Sequence, residues 1–370
     1  MPHDERISLV LQGGGALGSY QAGVYQALEE AGHAPEWLAG ISIGAINAAI
    51  IAGNAPADRV APLRAFWDLV SSQLTAEPLF PEGWGRRLFN EVSAAMAASD
   101  GVPGFFKPRF CPPALLAPEG TDGARSLYDT GPLRETLLEL IDFDRINAKE
   151  TRLSLGAVQI ETGNFEYFDN HQRKIVPEHI MASGALPPGF PPVWIDGIAY
   201  WDGGLVSNTP LQYVLDTRRG SAAMTVFQVD LFSARGPMPK NLFDVMQREK
   251  DIRYSSRTRF NTDVSKLMMK FHEAAQRLLE RYPELLKDDP DIRMLAEVQC
   301  DGPVTIMHLI NRSESYESHS KDYEFSRATV NGHWQSGYAD TVHSLHHKRW
   351  INRKPPRHGI AVYDLGSASP

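Results

Sequence analysis

The sequence predicts an α/β protein: a three-layer α/β/α sandwich about a mostly parallel central sheet, with a helical, aromatic-rich insertion and a helical C-terminal extension. Two observations predict it. The first fifty residues hold two consecutive strand–turn–helix units, each turning on glycine, and such units in succession bury both faces of a parallel sheet under helices. The chain has 370 residues, 42% hydrophobic and 22% charged, enough for a substantial core and unlike disordered, collagen-like or disulfide-scaffold sequences.

Ile7–Leu11 is a β-branched and aliphatic run that predicts the first strand. After the glycine cluster, Tyr20–Ala31 places Val24, Ala27 and Leu28 at helical spacing, and Gly32 closes that helix. Trp37–Ile41 reads as a second strand, and Ala45–Ala52 as a second helix that begins beside another glycine. From Ala55 to Glu119 the chain is rich in Pro, Gly and aromatics, Phe66, Trp67 and Phe110 among them, and reads as an insertion over the sheet.

Leu133–Ile141 predicts a helix, and Thr151–Ile160 with Asn164–Phe168, joined by a turn at Glu161–Gly163, predicts paired strands. Four prolines within Ala185–Pro192 exclude helix interior and central strand, so this is an ordered loop. Ala222–Leu231 predicts a buried strand. Val264, Leu267, Met268, Phe271, Ala275, Leu278, Leu279 and Tyr282 form one apolar face of a long helix, read as core-facing or as a homodimer or membrane face. Val304–Ile310 predicts the last core strand and Tyr323–His346 a closing helix. The division expected is therefore 1–235 for the α/β core, with the insertion at about 55–120, and 236–370 for a C-terminal region packed on the same core.

Lys and Arg number 37 against 45 Asp and Glu, a net charge of −8, so no basic field is available for nucleic acid and the bulk charge repels anionic membranes. The basic tail, Lys348 to Arg357, reads as a solvated end or a weak anchor for anionic head groups. Two cysteines, Cys111 and Cys300, suit a reducing compartment. The apolar run after the polar Met1–Arg6 breaks at Gln12–Gly15, too short for a secretory signal, and Trp37–Gly53 is too short and too polar for a membrane span. These features predict a cytoplasmic chain with at most peripheral membrane contact. No clustered His, Cys and carboxylate spacing points to a metal.

Two glycine constellations carry the chemistry. Gly13-Gly14-Gly15-Ala16-Leu17-Gly18 stands where strand becomes helix, so its backbone N–H groups can turn toward negative charge. It also fits G-x-G-x-x-G, the dinucleotide pattern. Gly40-Ile41-Ser42-Ile43-Gly44 matches G-x-S-x-G, again between strand and helix, the context a nucleophile elbow needs. In the dinucleotide reading the second strand should end in an acidic residue, and it ends in glycine and serine. Ser42 needs a base; Asp202, followed by Gly203 and Gly204, is offered in a tight turn. His171, His179 and His308 sit beside predicted core elements with no motif around them, and a Ser-His-Asp triad stays open at this level.

In this order, the three motifs resemble those of the patatin-like phospholipases, over about Ile7–Leu231, and Asn208-Thr209-Pro210-Leu211 resembles the segment that follows the family's aspartate. The resemblance implies lipid or acyl-ester hydrolysis by a dyad without histidine. Ser42 is then the nucleophile in an elbow formed by Gly40 and Gly44, and Asp202 is the base in a turn formed by Gly203 and Gly204. Backbone of Gly13, Gly14, Gly15 and Ala16 forms the oxyanion loop, and no cofactor is implied. Leu17 stands where many members have arginine, which removes a charged head-group contact there. Tyr323-Glu324-Phe325-Ser326-Arg327 resembles a C-terminal region of unknown function in some bacterial patatin-like proteins. An acyl chain needs an apolar channel, for which Phe80, Trp84, Phe89, Phe105 and Phe106 are candidates, whether as channel lining or as contacts to a lipid surface. The competing classes are a nucleotide-binding oxidoreductase built on the glycine loop and a non-catalytic lipid-binding module.

Overall fold

The computed structural model describes residues 5–80, 82–109, 113–218, 222–256, 302–312, 317–354, 356 and 359–366, with isolated positions between 267 and 291. The chain opens with β1 (Arg6–Leu11), buried from Ser8 onward, and passes through the glycine loop and one 3₁₀ turn into α1 (Ser19–Glu30). α1 ends where the Gly32 N–H donates to the Glu29 carbonyl and the His33 N–H to the Leu28 carbonyl. This paired closure needs a left-handed residue, and Gly32 supplies it at φ 75°. β2 (Trp37–Gly40) leads into α2 (Ile43–Ala52), whose ten residues are all buried, as expected of a helix with no polar face.

The insertion is more regular than its composition suggests. It holds α3 (Val60–Val70) and the 18-residue α4 (Gly83–Asp100), and Leu63, Phe66, Trp67 and Val70 of α3 belong to the main core. β3 (Lys107–Pro108), α5 (Asp122–Arg125) and β4 (Tyr128–Asp129) follow, the two short strands forming an antiparallel ribbon. Next come α6 (Gly131–Leu140), α7 (Phe143–Asn147), β5 (Arg152–Gln159) and its antiparallel partner β6 (Phe165–Asp169). α8 (Pro177–Ser183), β7 (Val193–Ile195), β8 (Ile198–Asp202), α9 (Leu211–Thr217), β9 (Met224–Asp230) and α10 (Leu242–Tyr254) complete the part before the long helix expected at Val264–Tyr282. That expected helix, Phe110, Cys111 and Cys300 lie largely or wholly outside the described residues.

Beyond it, β10 (Val304–Ile310) falls where predicted and α11 (Arg327–His346) begins four residues later than predicted. β10 is not the last strand. β11 (Ile360–Asp364) pairs parallel to it, because a five-residue run behind a basic tail is still long enough to cover an open sheet edge.

The sheet order is β11-β10-β9-β1-β2-β5-β8-β7, with β6 alongside β5; it is parallel from β11 to β5, and β6 and β8 run antiparallel to β5. Successive β1 side chains face opposite layers, as the pleat requires: Leu9 and Leu11 join Phe227, α2 and α3 in one core, and Val10 joins Val226, Ile306, Leu211 and Val214 in the other. Each fully buried large apolar side chain contributes roughly 1.5–3 kcal/mol. α11 closes the first layer against α1, backbone to backbone. A Cβ on Gly23 would lie 1.9 Å from the Trp334 carbonyl oxygen, and one on Gly337 would lie 2.0 Å from that of Tyr20.

Candidate active site

β2 stops at Gly40, and the chain reverses at Ser42, which takes φ 56°, ψ −125° and caps the N-terminus of α2. A positive φ on a non-glycine residue is strained and persists only where the surroundings hold it. Here the holding is backbone against backbone. A Cβ on Gly40 would sit 2.3 Å from the Gly44 carbonyl oxygen, one on Gly44 would sit 2.4 Å from that of Leu11, and the Ser42 N–H donates to Ser183 at 3.1 Å. The turn raises the Ser42 hydroxyl over the positive end of the α2 dipole.

Asp202 reaches Ser42 through a feature of strand register. Leu155 of β5 pairs with Gly40 on one edge and with Phe168 of β6 on the other, whereas Ala157, two residues on, pairs with Glu166 of β6 and with Asp202 of β8. β2 and β8 therefore share one edge of β5, β2 along its start and the antiparallel β8 along its end. The last residue of β8 thus arrives facing the end of β2. Asp202 is 2% exposed; its carboxylate accepts the Gly204 N–H at 2.7 Å and shares one cavity with Ser42. Burial pushes its pKa from 3.8 up to about 7, against the opposing pull of the Gly204 N–H and the Ser42 hydroxyl. A Cβ on Gly203 would lie 2.6 Å from the Gly156 carbonyl oxygen, so the turn after the aspartate also needs glycine.

The glycine loop is set by amides. The Gly13 N–H donates to the Asn208 carbonyl at 3.2 Å, and Asn208 Nδ2 returns a bond to the Gly13 carbonyl at 3.0 Å. Gln12 Oε1 accepts the N–H groups of Leu231 and Phe232, and its Nε2 donates to Thr209 Oγ1 and the Tyr254 carbonyl. Gly15 takes φ 55°, and the Ala16 N–H donates to the Asp322 carbonyl at 2.8 Å. Of the four loop residues expected as donors, Gly13 and Ala16 thus have their N–H groups engaged, while those of Gly14 and Gly15 have no partner among the described residues.

A cavity of about 430 Å³ joins Ser42, Asp202 and the loop from Gly13 to Gly15. Of the candidate acyl-contact residues, Phe105 and Phe106 line it, with Ile46, Leu186 and Phe190; Phe80, Trp84 and Phe89 do not. Phe80 and Trp84 are 64% and 78% exposed, because the start of α4 lies on the surface and only its end, at Ala97 and Ala98, reaches the cavity. The wall that sequence reasoning missed comprises Phe232, Tyr254, Asp322, Tyr323 and Phe325. Its only sequence signal was the Tyr323–Arg327 motif, which names no chemistry. Histidine is absent from the described lining residues. His179 Nδ1 accepts the Val176 N–H, and His308 pairs with Asp230.

One solved structure similar to this chain is VipD from Legionella pneumophila, at 15% identity and a TM-score of 0.35, covering 91% of this chain and 67% of that one. No curated protein matches. A family model described as patatin phospholipase matches residues 252–357. A second, described as patatin-like phospholipase, matches residues 9–215, which is more than half of the chain and includes the glycine loop, Ser42 and Asp202. The chain belongs to the patatin-like phospholipase family, the lipid acyl hydrolases.

Proposed function

We propose that the chain cleaves carboxylic esters of lipids through an acyl-Ser42 intermediate, with Asp202 as the base. The observation that carries this is Ser42, raised at a positive-φ elbow in one cavity with the buried Asp202, whose pKa burial raises to about 7. In acylation Ser42 Oγ attacks the carbonyl carbon and Asp202 takes its proton. The oxygen that gains the negative charge meets the Gly14 and Gly15 N–H groups, and one such donor is typically worth about 3 kcal/mol. Collapse expels the alcohol, protonated by Asp202. In deacylation Asp202 takes a proton from water, the hydroxyl attacks the acyl carbon, and collapse returns the proton to Ser42 Oγ and releases the acid. The reading of the same glycines as a dinucleotide loop is set aside, since β2 ends in the elbow rather than in an acid for a ribose.

The test is hydrolysis of p-nitrophenyl esters of graded chain length, with a fluorophosphonate probe. Turnover is expected to fall at least about a thousandfold in Ser42→Ala, and the wild-type adduct should map by mass to Ser42. An adduct elsewhere, or undiminished turnover in the variant, would remove Ser42 from the mechanism.

We further infer a lipid-surface contact on α4. Trp84, Leu88 and Val92 recur every four residues along α4, all exposed, and form one apolar stripe on the helix whose end lines the cavity, with Phe80 exposed just before it. Trp84→Ser with Leu88→Ser should weaken sedimentation with phosphatidylcholine vesicles about tenfold or more, while hydrolysis of a soluble short-chain ester stays at the wild-type rate. Equal sedimentation of the two proteins would refute the contact.

A further inference from the structure

α10 carries the dipeptide Lys250-Asp251, and the segment before α11 carries Lys321-Asp322. The two pair reciprocally. Lys250 Nζ lies 2.6 Å from Asp322 Oδ1, and Lys321 Nζ lies 2.7 Å from Asp251 Oδ1. Lys250 Nζ also donates to the His319 carbonyl at 2.8 Å. Side-chain exposures of 22% for both members of the first pair and 2% and 10% for the second keep water from competing freely with either. Because the two pairs have opposite polarity, sliding the segment by one residue would set lysine against lysine in one direction and aspartate against aspartate in the other. The pairs therefore fix its register.

What this register positions is a backbone carbonyl. The Asp322 oxygen accepts the Ala16 N–H at 2.8 Å and lies 2.0 Å from where a Cβ on Gly15 would stand. The segment is thus pressed onto the glycine loop one residue after Gly15, with Tyr323 and Phe325 continuing into the cavity wall. A run of three glycines has little stiffness of its own, and oxyanion stabilisation depends on donors already aimed at the charge before it develops.

We propose that Lys250 is a positioning residue for ester hydrolysis: through Asp322 it clamps the Ala16 N–H and so aims the Gly14 and Gly15 N–H groups at the oxyanion. The proposal rests on the Ser42–Asp202 reading of the same site. It gives the C-terminal region a catalytic duty, since the clamp is built entirely from residues that follow Leu242. The acyl chain also meets Phe105, Phe106 and Phe190, which the clamp does not touch, so the clamp's effect falls on kcat more than on KM.

The test compares wild type, Lys250→Met, Lys250→Arg, Lys250→Glu and the exchanged pair Lys250→Glu with Asp322→Lys. The readouts are steady-state hydrolysis of a p-nitrophenyl ester, the rate of Ser42 modification by a fluorophosphonate, and Tm. In Lys250→Met, kcat should fall roughly 10- to 100-fold, less than on outright loss of a donor, with KM within about twofold. Fluorophosphonate modification should slow by the same factor, because it too places charge on an oxygen facing the loop. Lys250→Arg should recover most of kcat, and the exchanged pair should exceed Lys250→Glu alone. An unchanged kcat in Lys250→Met, or a loss that appears in KM or follows Tm without rescue by arginine, overturns the clamp. A wild-type chain that is neither active nor modified at Ser42 overturns the underlying assignment instead.

Discussion

Replacing Asp202 by asparagine should abolish ester turnover and, at pH 8, raise Tm. The two effects have one cause. In the folded chain burial holds the Asp202 proton to about pH 7, whereas an unfolded chain releases it near 3.8. The folded state therefore binds this proton more tightly. The stability it contributes is fully present below about pH 4 and is lost as pH rises through 7. Above pH 7 the wild type keeps an ionised carboxylate in a dry site, and the span between the two pKa values corresponds to at most about 4 kcal/mol. Asparagine carries no charge and avoids that cost. The difference in Tm between variant and wild type should grow from pH 5 to pH 8 and then level off. Wild-type kcat/KM should rise through about pH 7, where the base becomes free to accept a proton. A rate that is flat from pH 5 to pH 9, or a variant less stable than wild type at pH 8, would contradict this role.

Gly40→Ala and Gly44→Ala should each cost several kcal/mol of stability and most of the turnover. The added methyl meets main-chain oxygens, at 2.3 Å from Gly44 and 2.4 Å from Leu11, and main chain cannot rotate away as a side chain would. Relief requires moving either the end of β1 or the first turn of α2, and both moves displace Ser42. Urea unfolding and p-nitrophenyl ester turnover measure the two losses. Gly332→Ala in α11, where a methyl meets nothing within 4 Å, serves as the comparison and should gain about 0.5–1 kcal/mol. Near-wild-type stability in both elbow variants would mean that the turn is looser than its contacts imply.

The elements that could be read from sequence are those whose causes are local. β1, the glycine loop and α1, then β2, Ser42 and α2, follow one another without interruption, and the elbow glycines Gly40 and Gly44 are required by atoms within a few residues or on the adjacent strand, whereas Gly15 and Gly23 meet Asp322 and Trp334 far along the chain. α4 was hidden because its Trp84, Leu88 and Val92 face solvent, so its apolar period does not mark a buried face, and Gly83 and Gly85 resemble loop. The candidate acyl residues separated for the same reason: Phe105 and Phe106 follow the end of α4 inward, and Phe80 and Trp84 precede it on the surface. Asp202 was legible as a turn, but its meeting with Ser42 depends on β8 running antiparallel along the part of one β5 edge that β2, on the same edge, leaves free. The wall from Phe232 to Phe325 depends on pairings between α10 and a segment some seventy residues later, which no local pattern encodes.

The central position of β1 has a consequence for the order in which the chain is made. β1 is made before every other strand of the sheet, yet its partner β9 is more than two hundred residues away and the cover of α1, by α11, more than three hundred. Contacts of such separation form slowly. A nascent chain that already carries Ser42 and Asp202 still exposes the edge of β1 that β9 will take and the bare face of α1, and it still lacks Asp322, whose carbonyl pins the glycine loop. The pinned glycine loop is thus acquired well after the elbow, and a fragment ending between Asp202 and Asp322 would carry Ser42 and Asp202 without the carbonyl that holds the loop.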